Sequence, residues 1–562
     1  MSVTRVDPVM LQVVKNGLES VAEQMAVTIR RTAYSTIIRE VLDYATALFD
    51  GEGRLIAQST RIPSFVNAMG GSLRYVLRHS VPLEEWEEGD VYLVNDPYLG
   101  GSQHLPDLAT FTPIFYHGDL VGIAGAIGHH VDIGGSAPGG YNLQATEIFQ
   151  EGLRIPAVRL YHRGRVVPDI KKLISANIRL PDVTLGDIEA QVAAMQIGQR
   201  GMTELLDRYG LETVRGCTEE LLNYSERLMR QSIRKIPNGT YAFADRLDDD
   251  GLVDEPVNIR VMVTVEDEDI TVDFTGTDPQ RRTPANGSPA MVLGIVNYVI
   301  MAAVAPDIPV NEGCFRPIRV ITPEGTVVNA RPPAPVVGRI AIMHRCCDTI
   351  LGALAQALPG RIPAAYYGMS SISCLAGISP EGATRWILFE VSVGGWGGRP
   401  SSDGLEACSA HIHNVANTPV EMIERLYPVR VESYSLRPDS GGPGMFRGGL
   451  GLIRELRLLD GEATLTVHND RLKFAPWGLA GGGEGTRGSL VLNPGTAEER
   501  SLRGMQSGIR LRAGDVFSTR TQGGGGYGDP RRRDPAAVRR DVALGKLSAE
   551  AAQRLHGVSG NG

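Results

Sequence analysis

The chain has 562 residues and a formal net charge of −8, with 42% hydrophobic and 21% charged residues. This composition is typical of a folded globular protein and excludes a disordered chain, and the acidic balance argues against nucleic-acid binding. Because the chain is too long for one simple core, we expect a multi-lobed α+β fold. The most apolar stretch, residues 291–305, is too short to span a membrane and predicts a buried helix.

The cysteines and the amino terminus predict a cytoplasmic protein. Six cysteines are scattered without C-x-x-C spacing, which is typical of reduced cytosolic thiols and excludes a cysteine-rich zinc module. Asp7 and Pro8 interrupt the amino-terminal segment, which therefore does not resemble a signal peptide.

The first predicted element is a long amphipathic helix. Asp7 is its expected N-cap, and Pro8 occupies the first helical position. Apolar residues then recur at three- and four-residue intervals, at Val14, Leu18, Val21, Met25 and Ile29. A β-hairpin is predicted over residues 44–57, with a glycine-rich turn at residues 50–53.

Two short apolar runs, residues 91–94 and 120–124, predict buried strands that each lead into a loop rich in histidine and aspartate. Further elements follow from the same kind of patterning. The predicted helices cover residues 188–206 and 214–236, and the predicted strands cover residues 259–263 and 270–274.

The last third of the chain is dense in glycine and predicts a β-rich region in which the glycines form tight turns. These glycine clusters lie at residues 394–398, 441–442, 481–483 and 523–526. A lobe boundary near residue 236 separates a predicted metal-binding lobe, residues 3–236, from a β-rich lobe, residues 237–530. Residues 531–562 are predicted to form a helical tail, whose basic run at residues 531–533 is interpreted as solvated surface.

The chemically most informative residues lie in two short, glycine-bracketed loops, residues 95–107 and 128–135. His104 and Asp107 form an H-x-x-D pair in the first loop, and His129 lies in the second. A mixed set of imidazole and carboxylate ligands suits Zn²⁺, Mn²⁺ or Fe²⁺ better than Ca²⁺. If the two loops converge, they form a metal site.

Alternatives remain open around these candidates. One of His129 and His130 can bind a metal while the other faces solvent or an acid. Asp96 and Asp132 lie in turn-forming sequences, which gives both a local reason to be polar. Asp43 is either a fourth ligand or an exposed carboxylate at the end of a strand.

Other motifs for catalysis are weaker or absent from the sequence. His411 and His413 form an H-x-H pair that fits a metal on a strand, although a structural role is favoured. The sequence contains no G-x-x-x-x-G-K-[ST] phosphate loop and no G-x-S-x-G elbow. No cysteine has a visible partner base, so a thiol nucleophile is unsupported.

A series of ordered motifs spans nearly the whole chain. They include Arg39-Glu40, Asp43-Tyr44, Leu48-Phe49-Asp50, Asn95-Asp96-Pro97-Tyr98, His104-Leu105-Pro106-Asp107, Gly128-His129-His130, Glu151-Gly152, Asp273-Phe274-Thr275-Gly276, Pro438-Asp439-Ser440-Gly441-Gly442 and Gly526-Tyr527-Gly528-Asp529-Pro530. Together they resemble the hydantoinase B family. That family includes the B subunits of ATP-dependent hydantoinases, the matching half of 5-oxoprolinases, caprolactamase small subunits and acetone carboxylase alpha subunits.

The resemblance implies a ligand set for a divalent metal (Zn, Mn or Fe). By motif, the ligands are Asp43, His104, Asp107 and His129, which selects His129 over its neighbour. It also suggests residues behind the ligands that assist catalysis, and these are His130 and Asp132.

Two departures from the family pattern are visible. Gln103 makes the first loop one residue longer than in many relatives, and Phe65 stands where many carry a histidine. The first shifts the loop without removing a ligand, and the second is a candidate change in the substrate pocket.

The resemblance further implies an ATP-dependent ring opening. A partner A subunit, which binds ATP and Mg²⁺, would phosphorylate the carbonyl oxygen of a hydantoin, 5-oxoproline or lactam. Metal-bound water on this chain, the B-type partner, would then attack the intermediate, in a hetero-oligomer such as A2B2. The rival hypotheses are a subunit of an acetone- or acetophenone-type carboxylase and a non-catalytic scaffold for the A subunit. The chain length favours the hydrolase, and the intact ligand positions argue against the scaffold.

Overall fold

The computed structural model describes residues 6–65, 68–99, 101–379 and 384–558. Gly100 of the first loop and the ends of the predicted regions, residues 3–5 and 559–562, lie outside the described residues. The fold mixes helices with several β-sheets, which confirms the predicted class.

The helices of these ranges are α1 (Pro8–Thr32), α2 (Thr36–Arg39), α3 (Ala68–His79), α4 (Pro168–Asn177), α5 (Pro181–Tyr209), α6 (Leu211–Ile233), α7 (Pro289–Val304), α8 (Arg339–Ala357), α9 (Val420–Leu426), α10 (Pro535–Ala543) and α11 (Ala549–His556). The predicted helices at residues 188–206 and 214–236 are confirmed as α5 and α6. The apolar run at residues 291–305 forms α7, which is buried as expected.

The strands are β1 (Tyr44–Asp50), β2 (Leu55–Gln58), β3 (Val91–Val94), β4 (Asp107–Tyr116), β5 (Asp119–His129), β6 (Val158–His162), β7 (Arg165–Val166), β8 (Gly239–Leu247), β9 (Val257–Glu266), β10 (Asp269–Asp273), β11 (Ile318–Ile321), β12 (Ser371–Ile378), β13 (Arg385–Ser392), β14 (Val429–Leu436), β15 (Leu452–Leu458), β16 (Glu462–His468), β17 (Ser489–Leu492), β18 (Arg500–Ser501), β19 (Met505–Arg512) and β20 (Val516–Arg520). All the strands predicted from the sequence are present, but β5 extends five residues beyond the run at residues 120–124 and includes His129.

The strands form four sheets. The largest has seven strands in the order β2-β1-β5-β4-β3-β6-β7, and its β1–β2 hairpin confirms the predicted one. The other orders are β11-β10-β9-β8, β13-β12-β16-β19 and β14-β15-β20-β17-β18. Helices α1 and α5 pack together, with α5 against β4 and β5 of the large sheet.

Helix α1 forms for the reasons read from the sequence. The Asp7 side chain accepts a hydrogen bond from the Val9 amide, which satisfies one of the free N–H groups of the first turn. The apolar stripe from Val14 to Ile29 is buried.

The main hydrophobic core is continuous across the predicted lobe boundary. One cluster of buried side chains includes Val14 near the amino terminus and Met505 near the carboxyl terminus. The division at residue 236 stays a prediction. Among the described residues, helices are either too short or too polar to cross a membrane.

The glycine clusters are mostly not tight turns, so that prediction was wrong. Gly481 does lie in a turn, with a φ of 92°. In contrast, residues 395–398 and 523–526 are neither turns nor strands and hydrogen-bond to each other and to other glycine-rich segments. We call the segments 395–398, 441–451, 478–485 and 523–526 the glycine layer.

The glycine layer requires glycine because its backbones touch directly. A Cβ on Gly524 would lie 1.9 Å from the Trp396 carbonyl oxygen, and one on Gly395 would lie 1.9 Å from the Gly449 oxygen. Hydrogen bonds cross between the same segments, for example from the Gly398 amide to the Gly525 oxygen at 2.8 Å. Long-range packing, and not turn chemistry, explains these glycines.

The tail departs from its interpretation at one arginine. Its two helices, α10 and α11, are present as predicted. Arg533, however, is buried and forms ion pairs with Asp403 and Asp541, so the basic run is not wholly solvated surface. Arg531 and Arg532 are exposed.

We predict that Gly524→Ala destabilises the protein by about 3 kcal/mol or more, because its Cβ would overlap a backbone carbonyl that cannot rotate away. Thermal unfolding followed by circular dichroism measures the effect. The matched control is Gly216→Ala within α6, where a Cβ meets nothing closer than 4.0 Å. There alanine is expected to stabilise by about 0.5–1 kcal/mol, and equal melting temperatures for the two variants would contradict the account.

Candidate metal centre

The order of three strands brings the predicted ligands together. In the sheet, β5 lies between β1 and β4. Asp107, the first residue of β4, pairs directly with His129, the last residue of β5. On the other side, the His129 amide donates to the Asp43 carbonyl oxygen at 3.0 Å, immediately before β1. Neighbouring strands lie about 4.8 Å apart, so residues from three distant stretches meet at one edge.

The side chains of His104, Asp107 and His129 converge and are buried. His104 Nε2 lies 3.0 Å from Asp107 Oδ1 and 3.1 Å from His129 Nδ1. The third side of this triangle, from His129 Nδ1 to Asp107 Oδ1, is 3.3 Å. The three residues are 1%, 0% and 3% exposed, respectively. The two loops therefore meet as the sequence predicted.

This triangle fits a divalent ion. With bonds of about 2.1 Å, ligand atoms lie about 3.0 Å apart in adjacent octahedral positions and about 3.4 Å apart in tetrahedral ones. The observed separations fall between 3.0 and 3.3 Å. Two imidazoles and one carboxylate are a donor set found in Zn²⁺, Mn²⁺ and Fe²⁺ sites.

The protonation states also suit metal binding. Burial alone would raise the pKa of Asp107, but the charges of His104 and Arg339 hold that pKa well below its usual value. Burial lowers the pKa of His104 to about 3, and the charge of Arg339 acts in the same direction. At neutral pH the carboxylate is therefore ionised and the His104 imidazole neutral, as metal ligands must be.

Arg339 is a member of the site that the sequence did not reveal. Its guanidinium donates to Asp107 Oδ2 at 3.1 Å, and the side chain is 6% exposed. Asp107 thus divides its oxygens, Oδ1 toward the histidines and Oδ2 toward Arg339. The available signal was one charge directly before the four apolar residues that open α8.

Asp43 lies beside this group but is not one of its three closest members. The donor atoms of His104, Asp107 and His129 all lie within 4.8 Å of one another, in a group that does not include Asp43. Burial raises the pKa of Asp43 to about 6, opposed by the charge of His129 and assisted by that of Asp107. Its role as a fourth ligand stays a prediction.

Comparison with known proteins gives the family. The family model described as hydantoinase B/oxoprolinase matches residues 7–530. The chain belongs to this family. It is 34% identical over 576 residues to the B component of a putative D-/L-hydantoinase from Pseudomonas sp. (strain NS671), covering 99% of this chain and 95% of that protein. The resemblance read from the motifs is confirmed.

Two solved structures share the fold of this hydantoinase B family member. The crystal structure of the ATP-dependent caprolactamase from Pseudomonas jessenii superposes with a TM-score of 0.92 at 33% identity, covering 100% of this chain and 98% of that one. A nucleotide-free acetone carboxylase superposes with a TM-score of 0.91, covering 98% of this chain and 79% of that one. At 18% identity, this second likeness shows the fold alone.

His130 and Asp132, predicted as possible assisting residues, make contacts away from the three ligands. His130 Nε2 lies 2.9 Å from Gln191 Oε1, in helix α5. Asp132 accepts from the Gly134 and Gly139 amides and pairs with Arg179 at 3.1 Å. Both oxygens of Asp132 thus hold the conformation of its own loop, the alternative recognised from the sequence.

The two residues that depart from the family pattern are both buried. Gln103 is buried, and its side-chain amide donates to the Ser64 carbonyl oxygen at 2.6 Å. The longer loop is therefore joined to the segment that contains Phe65, which is 3% exposed.

The H-x-H pair His411 and His413 lies in a loop and not on a strand, so the strand geometry considered for it is absent.

Glu151 is a second residue whose importance the sequence did not show, although its motif was noted. It is fully buried, and Oε1 accepts a hydrogen bond from the Val337 amide at 2.8 Å. Oε2 is buried without a partner among the described residues. Burial raises the pKa of Glu151 to about 8, so the carboxyl is largely protonated at neutral pH.

We predict that Glu151 makes stability fall as pH rises from about 4.5 to 8. A carboxyl whose folded pKa exceeds its unfolded value of about 4.3 binds more protons in the folded state, so its stabilisation is complete below the unfolded pKa. It is lost as pH rises through the folded value of about 8. Glu151→Gln keeps an oxygen that accepts from the Val337 amide but has no carboxyl group to titrate. As pH rises, the free energy of unfolding of the wild type should therefore fall relative to that of the variant, by up to about 1.4 kcal/mol per pH unit.

Urea unfolding at pH 5, 6.5 and 8 measures this difference. Glu498→Gln, at an exposed carboxylate, is the matched control and should leave the pH dependence unchanged. Parallel pH profiles for wild type and Glu151→Gln would contradict the raised pKa.

Proposed function

We propose that this chain is the metal-binding B-type partner in an ATP-dependent enzyme that opens cyclic amides, a hydantoin, 5-oxoproline or a lactam. The observation that supports this most is the buried group of His104, Asp107 and His129 in a member of the hydantoinase B/oxoprolinase family. Relatives named as a hydantoinase component and an ATP-dependent caprolactamase align over nearly the whole chain.

The residues of the centre have separate roles in this proposal. A divalent ion held there would act as a Lewis acid and lower the pKa of a coordinated water from about 15.7 toward about 7. Asp107, His104 and His129 hold the ion, and Asp43 is the proposed fourth ligand. Arg339 fixes the Asp107 carboxylate by occupying Oδ2, which leaves Oδ1 directed at the histidines.

A row of contacting rings runs from the centre to a cavity that His104, Asp107 and His129 do not line. Its volume is about 500 Å³, and His468 is one of its lining residues. His468 Nδ1 lies 2.9 Å from the Tyr141 hydroxyl, and the Phe389 ring packs against both Tyr141 and His129. Ligand cavities commonly measure about 300–1,000 Å³, so this cavity has the size of a small-ligand site.

The nucleotide belongs on another chain in this proposal. The sequence has no phosphate-binding loop of the G-x-x-x-x-G-K-[ST] type. ATP and Mg²⁺ are therefore assigned to an A-type partner, which phosphorylates the amide carbonyl oxygen before water opens the ring here. A hetero-oligomer such as A2B2 is the corresponding assembly, and we place it in the cytoplasm. All six cysteines are free thiols, which is typical of a reducing compartment.

We predict that His104→Ala removes the metal and more than about 99% of ring-opening activity, because a lost ligand should cost more than the 10–100-fold typical of residues behind the ligands. Elemental analysis of the chain co-purified with its A subunit, together with ATP-dependent ring opening, measures both effects. His79→Ala, at an exposed histidine, is the control and should keep both.

Three results discriminate the rival functions. ATP turnover that requires bicarbonate and acetone, and not a cyclic amide, would identify a carboxylase. Full activity of His104→Ala in complex with the A subunit would favour a scaffold. A metal-free complex that opens the ring at the wild-type rate would overturn the metal proposal.

A further inference from the structure

A glutamine of helix α5 bonds to both of the strands that carry ligands. The side-chain amide of Gln191 donates to the Leu108 carbonyl oxygen in β4 at 3.0 Å and to the Ala126 carbonyl oxygen in β5 at 3.2 Å. Its Oε1 lies 2.9 Å from Nε2 of His130, the residue that follows β5. One fully buried side chain thus joins the two strands where both reach the centre.

The Gln191 amide lies one residue away from two of the ligands. In the ladder of β4 and β5, Asp107 pairs with His129, and the next pair is Leu108 with Gly128. A Cβ on Gly128 would lie 3.9 Å from the amide carbon of Gln191, so the amide lies over this second pair. Because successive residues of a strand point to opposite faces, Gln191 supports the strand ends from the face opposite the ligand side chains.

The hydrogen-bond pattern fixes the orientation of the Gln191 amide. Carbonyl oxygens only accept, so the NH₂ group must face Leu108 and Ala126. Oε1 then faces His130 and accepts from it, which places a proton on His130 Nε2. Both amide hydrogens and the oxygen have partners, and the further contact to Thr110 Oγ1, at 3.5 Å, is at the limit of a hydrogen bond.

The two ligand histidines lack a support that metal-bound imidazoles commonly have. Such a ring usually donates its second N–H to a carboxylate, a carbonyl oxygen or water, which fixes its orientation. Here His104 Nδ1 and His129 Nε2 are buried without a hydrogen-bond partner among the described residues. The position of His129 therefore depends on the backbone of β5 and on the Phe389 ring, whose centroid lies 5.1 Å away.

Helix α5, which carries Gln191, is itself held in place. One turn before Gln191, the Asp187 side chain accepts hydrogen bonds from the Tyr34 and Ser35 amides at 2.6 and 3.1 Å. The helix also packs against α1, β4 and β5. A side chain can position a ligand precisely only when its own element is rigid, and Gln191 meets this condition.

We infer that Gln191 is a positioning residue for the metal centre. It holds the end of β5 against the start of β4 and so maintains the 3.3 Å between His129 Nδ1 and Asp107 Oδ1. The inference rests on the proposed function and adds to it a residue that determines metal affinity without touching the ion.

The alternative is that Gln191 only joins a helix to a sheet, and α5 offers a matched comparison. Gln199, eight residues further along the helix, donates to the Pro113 carbonyl oxygen at 2.9 Å. It joins the same helix to the same strand, but six residues away from Asp107. If the role were only structural, the two glutamines would differ in their effect on stability and in nothing else.

The test measures Co²⁺ binding to the chain co-purified with its A subunit, after a chelator has removed bound metal and without ATP. The visible absorption of bound Co²⁺ reports both the affinity and the arrangement of ligands around the ion. His104→Ala gives the background from other sites. We expect Gln191→Met, which is similar in size but has no amide, to bind Co²⁺ about 10–100-fold more weakly than wild type, with a changed spectrum.

Gln199→Met is the control and should keep the wild-type affinity and spectrum, even if urea unfolding shows that it is less stable. Wild-type affinity in Gln191→Met would make Gln191 a structural contact only and would overturn the inference while the proposed function stands. If the wild type binds no more Co²⁺ than His104→Ala does, the metal proposal fails, and the inference fails with it.

A second pair of variants keeps the test decisive if Gln191→Met does not fold. His130→Gln offers an amide N–H in place of the Nε2–H that donates to Gln191, whereas His130→Leu leaves Gln191 Oε1 without its partner. We expect His130→Leu to bind Co²⁺ about tenfold more weakly than His130→Gln. Equal affinities for these two variants would also overturn the inference.

Discussion

The carboxylate of Asp107 is the interaction on which the centre depends. One oxygen faces two imidazoles and the other accepts from Arg339, so a single buried group joins the first strands of the chain to helix α8. Removing one partner of a buried ion pair leaves an uncompensated charge, which typically costs about 3–5 kcal/mol. The same contact with Arg339 helps to keep Asp107 ionised, as a metal ligand must be. One interaction therefore contributes both to the stability of the fold and to the protonation state that metal binding requires.

The part of the site that could be read from the sequence was the local part. His104 and Asp107 are three residues apart, and their spacing was enough to recognise them. The residues alone left His129 and His130 open, and the family resemblance selected His129. The sheet gives the physical reason, because successive residues at the end of a strand point in opposite directions. His129 pairs with Asp107 across β4 and β5, whereas His130 turns to Gln191.

Residues from the second half of the chain were beyond such reasoning. Arg339 reaches the centre through packing between segments more than 200 residues apart, and its local sequence context does not specify its neighbours. The fold shows the same division. Helix α1 and the β1–β2 hairpin could be predicted from the sequence because each is determined by residues close together in the chain. The glycine segments were misinterpreted because the turn rules are local, and the close approach of Gly524 to Trp396 is not.

The glycine layer has a consequence for motion. A side-chain core adapts to small shifts by changing rotamers, but a layer of backbone in direct contact has no rotamers to change. Any displacement of residues 523–526 must be transmitted to residues 395–398 and 441–451, which carry the hydrogen bonds between them. The layer should therefore open only as a unit, and its amide hydrogens should be among the slowest in the molecule to exchange with deuterated solvent.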